Sequence, residues 1–96
     1  MNPQTLLKEK RDQILAAAAQ HGATNVRVFG SVARGEADEK SDIDILVTFE
    51  AGRNLLDHAA LLVELEELLG CKVDVVSEKG LRPRMRENVT RDAVPL

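Results

Sequence analysis

The chain has 96 residues, a net charge of −3, one cysteine, two phenylalanines and neither tryptophan nor tyrosine. That length suits a single domain over residues 1–96, with a modest aliphatic core, because a chain of this size hides only about 60–65% of its unfolded surface. The composition excludes an internal disulfide, a thiolate zinc cluster and an aromatic platform for stacked bases, and the charge excludes a general attraction to nucleic acid or anionic lipid.

In chain order, Asn2 is placed to cap a helix whose first position is Pro3. Leu6, Leu7, Ile14, Leu15 and Ala18 fall near one face of it, and His21-Gly22 ends it. Val26–Phe29 reads as a short strand with Val26 and Val28 on one side. Ser31 is expected to cap a helical turn through Arg34 that Gly35 stops, and residues 36–41 form a polar loop. Ile43–Phe49 is the most hydrophobic segment and is expected to be the central strand. After a turn over Glu50–Arg53, Asn54 caps a second long helix, with Asp57 three positions on. Leu55, Leu56, Ala59, Leu62, Val63, Leu65, Glu66 and Leu69 recur there at helical spacing, and Gly70 is the expected left-handed terminator. Lys72–Val76 reads as a third strand, with Cys71 at its start as a small hydrophobe. Pro83 interrupts a tail expected to hold a short helix and a terminal extension.

The fold class is therefore α+β (mixed α/β). No segment approaches ~20 consecutive apolar residues and the N-terminus lacks a signal-peptide pattern, so a cytoplasmic location is expected. Charge is uneven along the chain. Residues 36–44 carry Glu36, Asp38, Glu39, Asp42 and Asp44 against Lys40, whereas the tail carries Lys79, Arg82, Arg84, Arg86 and Arg91 against Glu78, Glu87 and Asp92. The tail is either a solvated helix face or a surface for phosphates or an acidic partner. DNA binding would rest on these arginines alone, and the net charge disfavours it.

The chemistry concentrates in one stretch. Gly30-Ser31 follows the first strand, and Asp42-Ile43-Asp44 opens the second. Side chains two apart on a strand face the same way, so Asp42 and Asp44 share a face while Ile43 and Ile45 point to the other. Two carboxylates that close repel unless a cation lies between them, and a hard dication with oxygen ligands is the natural answer. Asp74, between Val73 and Val75, joins them if the third strand pairs beside the second. Three acids can hold two metals ~3.5–4 Å apart and clamp the attacking and leaving oxygens of an in-line displacement. Glycine lets backbone approach a phosphate, and Ser31 adds a hydroxyl. No Gly-Lys-Ser/Thr follows, so this is not a Walker A loop.

With these residues in place, the chain resembles the minimal nucleotidyltransferases of the polymerase-beta superfamily, and more closely the MNT antitoxins of MNT/HEPN toxin–antitoxin pairs. Gly30-Ser31, Asp42, Asp44 and Asp74 match the family's pattern, as do Phe29, Ala33-Arg34-Gly35 and Ser41 around them. The resemblance covers nearly the whole chain. It implies a short mixed sheet with helices packed on it, Mg²⁺ at a two-metal site, ATP as donor and release of pyrophosphate. It implies Gly30 and Ser31 as phosphate-holding, Asp42 and Asp44 as metal ligands and Asp74 as third ligand or base. Arg34 either touches phosphate or forms a salt bridge to the acidic loop. The implied partner is a HEPN-type ribonuclease toxin, modified with AMP on a hydroxyl, most readily a tyrosine. The alternative is an antitoxin that neutralises by covering the toxin, with a vestigial nucleotide site. A chain this short has no room for an acceptor-binding domain, so a partner brings the acceptor, in a hetero-oligomer, and a homodimer is also open. The arginine tail and the helix over 55–69 are candidate docking surfaces. Arg53 and His58 match the Arg-x4-His spacing of HEPN ribonucleases by chance, with His58 expected on the helix surface.

Overall fold

The computed structural model describes residues 2–38 and 40–96. Four helices and four strands follow in the order α1 (Pro3–Gln20), β1 (Ala23–Phe29), α2 (Gly30–Ala33), β2 (Ile43–Phe49), α3 (Leu55–Leu69), β3 (Val73–Ser77), α4 (Pro83–Asp92) and β4 (Val94–Pro95). The fold is α+β. One sheet has the order β3-β2-β1-β4, with β1 antiparallel to β2 and β4, and β2 parallel to β3. The most hydrophobic strand, β2, is interior as expected.

Local chemistry sets most of the element ends. The Asn2 side chain accepts from the Gln4 amide, with Pro3 at the first helical position. Asn54 and Asp57 form a full capping box, each side chain accepting from the other's backbone amide. Gly70 closes α3 at φ 68°, in the left-handed region, with open space where a Cβ would sit. Strand β1 begins at Ala23, three residues earlier than Val26, through a bulge between Thr24 and Arg27. Asn25 carries it at φ 52°, a conformation that asparagine tolerates better than most side chains. Pro83 starts α4 rather than breaking it.

Helices α1 and α3 cover one face of the sheet. Ile14, Ala18, Val26, Val28, Ile43, Ile45, Val47, Leu61, Leu65, Val73 and Val75 form the core between them. The tail crosses the second face, from β3 at one edge to β4 at the other. A 3₁₀ turn, Glu78–Gly80, starts this crossing. Arg27 Nη2 lies 3.1 Å from Glu78 Oε2, with side-chain exposures of 13% and 26%. The Thr48 hydroxyl donates to the same carboxylate at 3.0 Å. The Nη2 contact is charge against charge at an angle too poor for a hydrogen bond, whereas Nη1 donates to Oε1 at 3.4 Å.

These partners hold the Glu78 carboxyl below its usual range, Arg27 first and Thr48 second. A depressed carboxyl pKa contributes stability above the unfolded pKa, and that contribution is lost as pH falls through the folded value. Glu78→Gln should therefore cost about 1–2 kcal/mol near neutral pH, since it leaves a mostly buried guanidinium short of its counter-charge. Its stability should also fall less steeply with acid than the wild type's below about pH 4. Urea unfolding at several pH values measures both, and parallel curves for the two proteins would refute the assignment.

Helix α3 differs from expectation in its inner stripe. Leu61, Leu65 and Leu69 are the buried residues. Leu55 and Leu56 are 79% and 78% exposed, and Val63 is 54% exposed. His58 is not a surface residue. Its Nε2 lies 2.6 Å from the Val75 carbonyl and its ring packs 5.4 Å from that of Phe49. No helix among the described residues is long and apolar enough to cross a membrane.

Candidate active site

The site residues come from the ends of three adjacent strands. Phe29, the last residue of β1, pairs with Asp44, and Asp44 pairs with Asp74 in the parallel register of β2 and β3. Asp44 and Asp74 therefore lie side by side, on the face opposite to Ile43, Ile45, Val73 and Val75. Asp42 precedes β2 by one residue and is exposed, as is Asp74; Asp44 is half-buried. Burial pushes the Asp44 carboxyl above its usual range, with Asp74 and then Asp42 adding to the rise and Arg34 opposing it. The three acids thus form one electrostatic unit. Among the described residues, no three His, Cys, Asp or Glu side chains converge closely enough to hold a metal ion by themselves. Mutual repulsion keeps such carboxylates apart. The donor chemistry fits a hard dication that takes its remaining oxygens from phosphate.

Gly30 closes the site from the other side. It sits at φ 72°, and a Cβ there would overlap Asp44 Oδ2 and stand 3.2 Å from its Cγ. The backbone turn and the carboxylate are thus in direct apposition, which only glycine allows. The sequence expectation for Ser31 needs one correction. Helix α2 starts at Gly30, its cap is Phe29 without a side-chain hydrogen bond, and Ser31 lies inside the turn. The reason is the left-handed glycine, which turns the chain one residue earlier than a serine cap would. Gln4 Nε2 donates to the Val32 carbonyl at 3.0 Å, tying α2 to α1.

Arg34 is committed to carboxylates. Its Nε lies 3.0 Å from Glu36 and its Nη1 2.9 Å from Asp92. The salt-bridge reading of this residue is realised in the structure, and it reaches α4 as well as the acidic loop. Ser41 Oγ donates to Asp38 Oδ1 at 3.1 Å and accepts from the Asp38 amide at 3.0 Å. This reciprocal pair shapes the approach to Asp42. Glu39 of that loop lies outside the described residues. Gln4, Asp38 and Asp92 had no sequence signal as site-shaping residues. For Asp92 the reason is distance along the chain, 58 residues from Arg34.

Cys71 is half-buried beside the site, and burial, with Asp42 and Glu66, pushes its thiol up. It is a packing residue rather than a thiolate. A cavity of about 400 Å³ between α1, α2 and β4 is lined by Leu7, Val28, Val32, Ala33 and Leu96 among others, and by none of the three acids. The acids instead stand at the strand ends, with two of the three open to solvent.

Gly30 is thus apposed to Asp44, with Asp42 and Asp74 at adjoining strand ends. Residues 11–96 match the model of the nucleotidyltransferase domain family, and the chain belongs to that family. Among its relatives, protein adenylyltransferase MntA of Thermococcus cleftensis is 45% identical over 73 residues, covering 76% of this chain and 74% of the relative. A Methanocaldococcus jannaschii protein, provisionally named a protein adenylyltransferase, is 41% identical over 88 residues, covering 92% of this chain and 95% of its own. A solved structure provisionally described as a minimal nucleotidyltransferase superposes with a TM-score of 0.90 at 59% identity, covering 100% of this chain and 97% of the other. A chain in the crystal structure of a toxin–antitoxin with AMP-PNP shares the fold, with a TM-score of 0.77 at 21% identity, over 88% of this chain and 69% of its own.

Proposed function

We propose that this nucleotidyltransferase moves AMP from ATP to a hydroxyl, most readily a tyrosine, of a HEPN-type ribonuclease toxin and thereby acts as its antitoxin. The observation that carries the reading is the apposition of Gly30 to Asp44 with Asp74 in register beside it. It sets a glycine turn directly against a row of carboxylates. The adenylyl donor is supported by the adenylyltransferase names of the two relatives. The toxin partner follows from the resemblance to MNT/HEPN pairs, and a fold neighbour occurs in a toxin–antitoxin structure.

In this reading Asp42, Asp44 and Asp74 hold Mg²⁺, and Gly30 and Ser31 receive the terminal phosphates. Bound Mg²⁺ would neutralise the charge on the phosphates and on the incoming oxygen. The acceptor oxygen bonds to the α-phosphorus as the bond from that phosphorus to the bridging oxygen breaks, and pyrophosphate leaves. Asp74 would help to deprotonate the acceptor hydroxyl, directly or through the metal it would hold. Arg34 offsets negative charge at Asp44 from a distance, and orients the α4 segment through Asp92.

The test is intact-mass analysis of the HEPN-type partner after incubation with this chain, ATP and Mg²⁺. The expected product is heavier by whole AMP units, and none forms with Asp42→Asn. A partner silenced at unchanged mass, equally well by Asp42→Ala and Asp44→Ala chains, would replace transfer by simple covering.

A further inference from the structure

An acid at the last position of a helix is badly placed, because the unpaired carbonyls there form the negative end of the helix dipole. Asp92 stands at that position in α4. What holds it is Arg34, whose Nη1 lies 2.9 Å from Asp92 Oδ2. No other ion pair joins α4 to the rest of the molecule among the described residues, and the helix has no buried residue. Its remaining ties are small. Val89 is half-buried, and Arg86 Nη2 donates to the Glu78 carbonyl at 3.3 Å. Beyond Asp92 the short strand β4 takes over, paired with β1.

The other half of the pair belongs to the candidate active site. Arg34 caps α2, and its amide donates to the Gly30 carbonyl at 3.1 Å. It therefore stands one helical turn beyond the glycine that faces Asp44, on the same side of the turn. Its charge is felt by the Asp44 carboxyl. The guanidinium is nonetheless engaged by carboxylates, Glu36 at Nε and Asp92 at Nη1. Glu36 is two residues along the same segment and moves with it. Asp92 comes from another element, so it is the partner that can be exchanged. The side chains of Arg34 and Asp92 are 44% and 32% exposed, which leaves the pair open to an anion from solvent. Arginine binds phosphate oxygens two at a time, and such charge-assisted pairs are among the strong ones.

We propose that Asp92 is a resident competitor for Arg34: a nucleoside triphosphate entering at Gly30-Ser31 draws Arg34 off Asp92, so that donor binding and attachment of α4 oppose each other. The inference rests on the nucleotide reading above and adds a positioning residue to it, since Asp92 acts only through Arg34. Linkage makes the coupling reciprocal. Whatever the Arg34–Asp92 pair contributes to holding α4 is subtracted from triphosphate affinity, and a bound triphosphate loosens the end of α4 to the same extent.

Calorimetric titration of the whole chain with Mg²⁺ and the non-hydrolysable analogue AMP-PNP tests this, beside amide exchange of α4 by NMR. Asp92→Asn keeps the size of the side chain and removes its charge. It should bind Mg²⁺–AMP-PNP about 5-fold more tightly than wild type at low salt, the scale of one partly exposed ion pair. The gain should shrink as salt screens the pair. Without ligand, its amides over 89–92 should exchange faster than those of the wild type. AMP-PNP should speed the same amides in the wild type and leave them unchanged in the variant. Arg34→Gln should remove the effect, so that adding Asp92→Asn to it changes the affinity little. That non-additivity separates competition from a purely structural role, in which Asp92→Asn would loosen α4 and leave the affinity alone. Equal or weaker binding by Asp92→Asn overturns the proposal. So does a full gain on the Arg34→Gln background, or slower α4 exchange in the wild type with ligand. Failure of wild type and variant alike to bind Mg²⁺–AMP-PNP refutes the nucleotide reading, and the proposal with it.

Discussion

Replacing Asp44 with asparagine should sharply reduce transfer and, at the same time, make the metal-free chain more stable. Burial, Asp74 and Asp42 all raise the Asp44 carboxyl pKa, in that order. The folded chain therefore keeps a proton that the unfolded chain has already released. A raised carboxyl pKa means that stability is fullest below the unfolded pKa and declines as pH climbs through the folded one. At neutral pH the ionised side chain is held at a cost, which asparagine removes because it does not titrate. Transfer should fall on the order of 100- to 1000-fold, the scale seen when one preorganised electrostatic contact to a transition state is lost. Calorimetry from about pH 3 to 7, beside the rate of labelled AMP incorporation, reads both halves. The account fails if Asp44→Asn melts lower than wild type across that range, or if it labels at the wild-type rate. It would be a case in which a functional site is kept at the expense of the fold.

Gly30→Ala should be the most damaging substitution outside the acids. Two costs combine there. The left-handed backbone at φ 72° strains any Cβ-bearing residue, and the new methyl would overlap Asp44 Oδ2. The strain costs about 1–2 kcal/mol. Displacing the carboxylate should lower transfer by about 100-fold, since small misplacements at a reacting centre have effects of that size. Gly70 supplies the control. It has nearly the same φ, 68°, but open space where its Cβ would be. Gly70→Ala should therefore lose a comparable stability with transfer intact at temperatures where it is folded. Equal activity losses in the two variants would mean that the Gly30 effect is only destabilisation.

What was legible in the sequence is what local chemistry decides. Asn2-Pro3, the Asn54/Asp57 pair and Gly70 each carry their own capping geometry, and the structure uses all of them. The period of two along Asp42-Ile43-Asp44 likewise placed the apolar residues on the covered face. Pairings set by distant segments were not legible. Strand β4 is two residues long and exists only because β1 offers an edge to it. The bulge at Asn25 moved the start of β1 for a similar reason. Helix α3 misled because it is apolar on nearly every side, so periodicity could not say which leucines face inward. His58 was readable from spacing. It stands three before Leu61 and seven before Leu65, on the buried line, and only its polar character argued for the surface.

Helix α3 is stopped at both ends, by the Asn54/Asp57 box and by Gly70. That makes it a ruler. It fixes how many residues separate β2 from β3, and hence which residue of β3 lands beside Asp44. Parity does the rest, because a strand shifted by one residue exchanges its two faces. One extra residue between Gly70 and Val73 would turn Asp74 into the core and a valine toward Asp44. The site can thus be dismantled by a change of length that alters none of its residues. Variation in this segment should be tolerated in identity far more readily than in count.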